Sequence, residues 1–357
     1  MSQFDALELP REHSGFTPTT ASRLPVYVEP APEEALLSWL LRLATRLGIS
    51  MHALASQSFG VDDRFGHTRW WCRPHPWVLA RIAERSDIHV ARLRQMTFDG
   101  FEPAYRDDEA SLRFAGRRYE TAMSESPAYR FAVCGPCLEN DAKPYLRRQW
   151  LLGWMAVCPD HRTILIDRSH ACGARFRFGR FTSPASFSPA ICRRCGTSVL
   201  SGGHIPVHAS VIRIQAALLQ AKRAGVTEID GLGRLTWKEL VALIDILIGM
   251  VYTDLTLAER SRVLRLYLAE TYLVPQDDNS IVDSRHGSLR FLAWLIEGWP
   301  VSPGAVVGRS LLMRWLTAPR NRLCRHLRPP SADPWTAGPE NFEPQIFERL
   351  RNLAGVG

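Results

Sequence analysis

Apolar residues first recur at helical spacing in PEEALLSWLLRLATRLGIS, where Leu36, Leu37, Leu40, Leu43, Ala44 and Leu47 share one broad face. Pro32, Glu33 and Glu34 suit a helix N-terminus, and Gly48 suits its end. Ser50 is placed to cap a shorter helix, MHALASQSF, that stops at Gly60. HPWVLARIAERSDIHVARLRQMTF then reads as helix, turn, helix. Val78, Leu79, Ile82 and Ala83 face inward, Asp87 is placed to cap the second helix, and Val90, Leu93 and Met96 continue the core. Helical spacing returns near Val207 in VHASVIRIQAALLQAKRAG, TWKELVALIDILIGMV, TLAERSRVLRLYLAETYL, HGSLRFLAWLIEG and VVGRSLLMRWLTAP. A last short helix is IFERLRNL, after the proline-rich RPPSADPWTAGPENFEP. The most apolar window, Leu240 to Val251, contains Asp245 and is too short for a bilayer span of about 20 residues, so it predicts a buried helix.

These elements predict a mainly α protein with helical domains at 26–130 and 206–328. A flexible polar tail is expected over 1–25, and an irregular tail with a short helix over 329–357. The chain has 357 residues with 24 prolines and 11 tryptophans, enough for roughly two or three domains broken into short helices. The N-terminus is too polar for a signal peptide, so a cytoplasmic location with reduced thiols and no membrane contact is expected.

Between the helical regions, residues 131–205 change the picture. Formal net charge is +8, and residues 131–200 hold ten Lys/Arg against four Asp/Glu. That surplus suits a phosphate backbone or an acidic protein face. The same segment carries Cys134 and Cys137 as a Cys-x-x-Cys, then Cys158 and His161 as a Cys-x-x-His after 20 intervening residues. Three thiolates and an imidazole complete a closed tetrahedral shell, which predicts structural zinc. A second set has Cys192 and Cys195 with Gly196 behind, and Cys172 followed by Gly173. Ser169 stands where the partner of Cys172 would be, so His170 is the candidate fourth ligand, with His204 as a more distant one. Residues 131–205 thus read as a zinc-ribbon module with two Zn2+ sites. Tyr145, Trp150 and Trp154 read as core aromatics, and Arg147, Arg148, Arg193 and Arg194 as candidates for phosphate or an acidic partner. If the helical pair at 76–96 is a helix-turn-helix, Arg92 and Arg94 would face DNA.

Catalytic signatures are missing: there is no GxxxxGK[ST], HExxH or GxSxG, and no cluster of acids that would hold catalytic magnesium. HTRWWCRPHPW brings Cys72, His67 and His75 close in sequence, which reads as an aromatic loop before it reads as a metal site or a nucleophile with its base.

EEALLSWLLRLA followed by FAVCGPCLENDAKPYLRRQWLLGWMAVCPDH resembles the TniQ family of transposition proteins over about residues 26 to 220. That family's pattern is E-S-L-x-S-W-L-x-R-L-A, then C-P-x-C-L, Y-x-R-x-x-W and C-x-x-H. MTFDGFEP resembles the turn that follows its helical pair. Ala35, Gly135 and Ser169 depart from the pattern, and Ser169 replaces a zinc ligand. The resemblance implies a non-catalytic adaptor, not an enzyme, joining a target-recognition element to an AAA+ ATPase regulator of the transposase. It also implies zinc roles for Cys134, Cys137, Cys158, His161, Cys172, Cys192 and Cys195. The target element in such proteins is a DNA site, a resolution site or an RNA-guided CRISPR effector complex bound by a homodimer. Two other classes stay in view: a free-standing zinc-stabilised helix-turn-helix regulator of DNA, and a metal-dependent enzyme using the second cluster with Cys72 or His75.

Overall fold

The computed structural model describes residues 23–61, 71, 74–98, 113–114, 117–118, 131–152, 154–178, 187–201, 207–251, 255–271, 281–317 and 344–355. His67, Cys72, His204 and Cys324 lie outside them, as do most of the expected tail over 1–25, residues 99–103 of MTFDGFEP and most of the proline-rich segment near the C-terminus.

The first helix, α1, spans Leu36–Leu47 and buries Trp39, Leu40 and Leu43 almost completely. It starts later than the acidic pair suggests. Glu33 takes a left-handed backbone (φ 54°), and Ala35 is the residue that precedes the first helical turn. Glu34 turns inward, 1% exposed, where its carboxylate accepts from the Ala31 N–H (3.0 Å) and from Ser38 Oγ (2.8 Å) and pairs with Arg42. Burial raises its pKa above the ordinary carboxyl value, opposed by the Ala31 N–H, by Arg42 and by Ser38. Gly48 closes α1 with φ 69°, donating to the Ala44 and Thr45 carbonyls.

Ser50 Oγ accepts from the Ala53 N–H at 3.0 Å and caps α2, Met51–Ala53, which continues as a π-helical turn through Leu54–Ser58. Helix α3, Pro76–Ser86, starts on its proline. Its end corrects the sequence reading: Asp87 adopts φ 61° and bonds its N–H to Ala83 O, so it terminates α3. The cap of α4, Val90–Gln95, is instead His89, whose Nδ1 accepts from the Ala91 N–H at 3.2 Å. A short antiparallel pair follows, β1 (Arg113–Phe114) with β2 (Arg117–Arg118).

In the C-terminal half, α6 (Ala209–Ala224) follows α5 (Gly135–Asn140) and the central module, and leads into a hairpin absent from the sequence reading. Its strands are β3 (Val226–Ile229) and β4 (Gly233–Thr236), with Val226 opposite Thr236 and Ile229 opposite Gly233. Then come α7 (Trp237–Gly249), α8 (Leu257–Thr271), α9 (Ile281–Ile296), α10 (Pro303–Thr317) and α11 (Pro344–Ala354). Thr236 with Glu239, and Thr256 with Glu259, form reciprocal capping boxes that start α7 and α8. Helix α9 packs on α6 and α10, and α10 also packs on α7 and α11. Gly304 and Gly308 make the α9–α10 approach possible, because a Cβ at either would overlap the Trp294 or Leu295 carbonyl. Leu240, Leu243, Ile244 and Leu247 of α7 are fully buried, and no described helix is long and apolar enough to cross a membrane.

Candidate metal centre

Three turns of the central module repeat one backbone design. Cys158, Ser169 and Cys192 each accept the N–H of the residue four positions on, Arg162, Gly173 and Gly196, at 2.8 Å. Each also donates its own N–H to the carbonyl five positions on, in Thr163, Ala174 and Thr197, at 2.9 Å. The residue that turns the chain is left-handed in all three, with φ of 52°, 65° and 70°. Flanking pairs close each loop: Val157 with Ile164, Arg168 with Arg175, and Ile191 with Ser198. Each turn aims its first and fourth side chains the same way: Cys158 with His161, Ser169 with Cys172, Cys192 with Cys195. Cys134 and Cys137 use a different support, the first turn of α5, where Leu138 N–H bonds to Cys134 O and Asp141 N–H to Cys137 O.

Among the described residues, two groups place their ligand atoms within 4.8 Å of one another: Cys134, Cys137, Cys158 and His161, and separately Cys172, Cys192 and Cys195. In the first, His161 Nδ1 lies 3.6, 3.2 and 3.7 Å from the sulfurs of Cys134, Cys137 and Cys158, and Cys137 Sγ lies 3.6 Å from Cys158 Sγ. Bond lengths of about 2.3 Å for Zn–S and 2.0–2.1 Å for Zn–N give tetrahedral edges of about 3.8 Å for S···S and about 3.6 Å for S···N. The donor set therefore fits a tetrahedral dication in both type and spacing. Crowding splits the thiols: contacts with Cys137 and Cys158 hold the Cys134 thiol down to about 3, while contacts with Cys134 and Cys158 and burial push Cys137 up. A dication binding all the sulfurs as thiolates would remove that opposition.

The first group sits inside the core, its three cysteines at 0–2% exposure. Tyr145, Trp150 and Trp154 are buried, as expected of core aromatics. In the second group Cys192 is buried, Cys172 partly so, and Cys195 exposed. Cys172 Sγ and Cys192 Sγ are 3.8 Å apart. His170 is exposed and lies outside this group, whereas Ser169 is buried with its Oγ 3.5 Å from Cys195 Sγ.

The arginines separate into two sets. Arg147 and Arg148, candidates in the sequence for phosphate or an acidic partner, have side chains only 14% and 11% exposed. Arg147 makes a two-pronged pair with Asp141 (3.0 and 2.9 Å) and lies over the Tyr145 and Trp150 rings. Arg148 donates to the carbonyls of Gln95 and Thr97 and pairs with Glu33 at 3.2 Å. Arg92 is half-buried and bonds to Ala31 O at 3.0 Å. Arg94, Arg193 and Arg194 are exposed, with Arg193 donating to Phe178 O at 3.0 Å.

Two polar residues, Ser38 and Gln215, tie the chain between Cys137 and Cys158 to neighbouring helices. Ser38 Oγ accepts from the Leu146 N–H at 2.9 Å, Ala35 N–H bonds to Leu146 O, and Arg148 N–H bonds to Glu33 O. Segment 33–38 and segment 145–148 are thus stitched together backbone to backbone. On the opposite side Gln215 of α6, 2% exposed, accepts from the Ala156 and Val157 N–H groups (2.9 and 3.0 Å) and donates to Val157 O at 2.7 Å. No pattern in the sequence marks Gln215, since only the fold shows that it faces the strand before Cys158.

No curated protein matches the chain in sequence. The TniQ family model matches residues 25–165, so this chain is similar to TniQ proteins over the segment that holds α1, the stitched 145–148 segment and all four members of the first cluster.

Proposed function

We propose that the chain is a non-catalytic transposition adaptor that joins a target-recognition element to the AAA+ ATPase regulator of the transposase. The match of residues 25–165 to TniQ carries this reading. The geometry supports it: the matched motif segments EEALLS and YLRR bond to each other, and the same matched region brings Cys134, Cys137, Cys158 and His161 into one cluster. A closed shell of this kind suits zinc as a scaffold and leaves no ligand position for chemistry. Cys134, Cys137, Cys158 and His161 would hold one Zn2+, and Cys172, Cys192 and Cys195 a second. DNA, a CRISPR effector complex and a second copy of the chain belong to this reading as alternative target-side partners, with Arg94, Arg193 and Arg194 as the exposed candidates.

The free-standing helix-turn-helix regulator has less support. Helix α4 is six residues long, and Arg92 is tied to the Ala31 carbonyl. The test is capture of the AAA+ ATPase encoded beside this chain's gene by the purified protein, with and without DNA. Capture in either condition is expected. Failure in both, together with tight sequence-selective DNA binding that weakens steeply with salt, would favour the regulator.

A further inference from the structure

We propose that the second cluster is a three-thiolate, one-oxygen metal site: Cys172, Cys192 and Cys195 bind the ion, and the fourth corner, at Ser169, is an exchangeable oxygen position open to an incoming imidazole or thiolate. The proposal stands apart from the adaptor reading, because it concerns only what the metal's fourth neighbour is.

The backbone assigns the corner. Ser169 makes the same two hydrogen bonds as Cys158 and Cys192, so it occupies the first-ligand position of its turn. Its Oγ stands 3.5 Å from Cys195 Sγ. Zn–O and Zn–S bonds of about 2.0 and 2.3 Å give a tetrahedral O···S edge of about 3.5 Å. Cys172 Sγ and Cys192 Sγ meet the same test at 3.8 Å, and all three sulfurs lie within 4.8 Å of one another. His170 is exposed and outside the cluster, so the turn that presents Cys172 turns His170 away.

Chemistry then distinguishes this corner from the one His161 fills. A neutral hydroxyl, or a water that it holds, is a weak donor to a borderline-soft dication that prefers thiolate and imidazole. Such an oxygen leaves when a better donor arrives. Ser169 itself is buried, so an incoming donor reaches the corner from the side of Cys195, which is exposed, and Cys172, partly so, whereas the first cluster's cysteines are buried.

The full chain loaded with cobalt in place of zinc reports both sites through their d–d bands. Two equivalents are expected, and added imidazole should shift the bands of one while leaving the other unchanged. In Ser169→Cys that response should disappear, and release of the second metal to a chelator should slow on the order of tenfold or more. His170→Ala should leave the wild-type spectrum and its imidazole response intact. A single bound equivalent, two equivalents that both ignore imidazole, or a spectrum altered by His170→Ala or His204→Ala would overturn the proposal. Each readout follows metal alone, so failure here would leave the adaptor reading intact, and failed ATPase capture would leave this site intact.

Discussion

The Cys158–His161 turn and the Ser169–Cys172 turn share a backbone and differ in surroundings. The first faces a helix turn carrying Cys134 and Cys137, with α6 bonded through Gln215 to the residues just before it, and the segment between its two ligand pairs bonded to α1 through Ser38. The second faces another turn of its own kind, with one of its three cysteines exposed. Identical local geometry therefore serves two purposes. Where neighbouring helices are bonded to the ligand-bearing segments, a bound metal would be coupled to the wider fold; where a flank is open, it would be coupled to little beyond the loop.

The largest effect that would sharpen this contrast is expected from Cys158→Ser. Structural zinc in small domains carries apparent binding free energy of about 10 kcal/mol or more, so loss of this ligand should abolish cooperative unfolding along with one equivalent of zinc. Circular dichroism melting beside metal analysis checks it, and a variant that melts like the wild type would break the comparison. Gln215→Leu should follow at about 3 kcal/mol, since it orphans two buried N–H groups and a carbonyl. Denaturant unfolding measures that loss, with zinc content retained.

An acid-side control comes from the C-terminal helices. His286 of α9 is buried, and burial, then the charges of Arg290 and His208, hold its pKa down to about 4. Because the unfolded ring titrates near 6.5, the stability its neutral form allows is present above that pH and lost as pH falls from about 6.5 towards 4. His286→Leu should remove about 3 kcal/mol of the stability change across that window, read as the difference between the two proteins so that metal release cancels. The smallest effect is expected from Cys195→Ser: loss of the second metal equivalent with a stability change of about 1 kcal/mol or less. If that substitution instead collapsed the protein, the two clusters would be equivalent.

Local signals in the sequence reached far into this fold. The face of α1, the major C-terminal helices and the closed cluster follow from spacings of three or four residues, which a linear reading captures. Features that depend on distant partners were not legible. Arg147 and Arg148 look like a solvent pair until Asp141, Glu33 and the Gln95 carbonyl are brought to them. Gln215 carries no signature of its role, and hairpin β3–β4 has too few apolar positions to announce its alternation. Asp87 was a reasonable helix cap by residue type, but its left-handed backbone gave that role to His89. Chemistry alone points to His170, whereas the turn's hydrogen bonds put Ser169 in the position that Cys158 and Cys192 hold in theirs.

The stitch between Ser38 and Leu146 also sets a timetable for synthesis. Its partners are separated by 108 positions, and the Glu33–Arg148 contacts by 115. At about 5–20 residues per second, a ribosome that has released α1 needs roughly 5–20 s more to deliver the strand that completes its polar contacts. During that interval Ser38 Oγ and the Ala35 N–H wait for Leu146, and the Glu33 carbonyl for the Arg148 N–H, so water serves these groups until the segment between the two halves of the first cysteine cluster emerges.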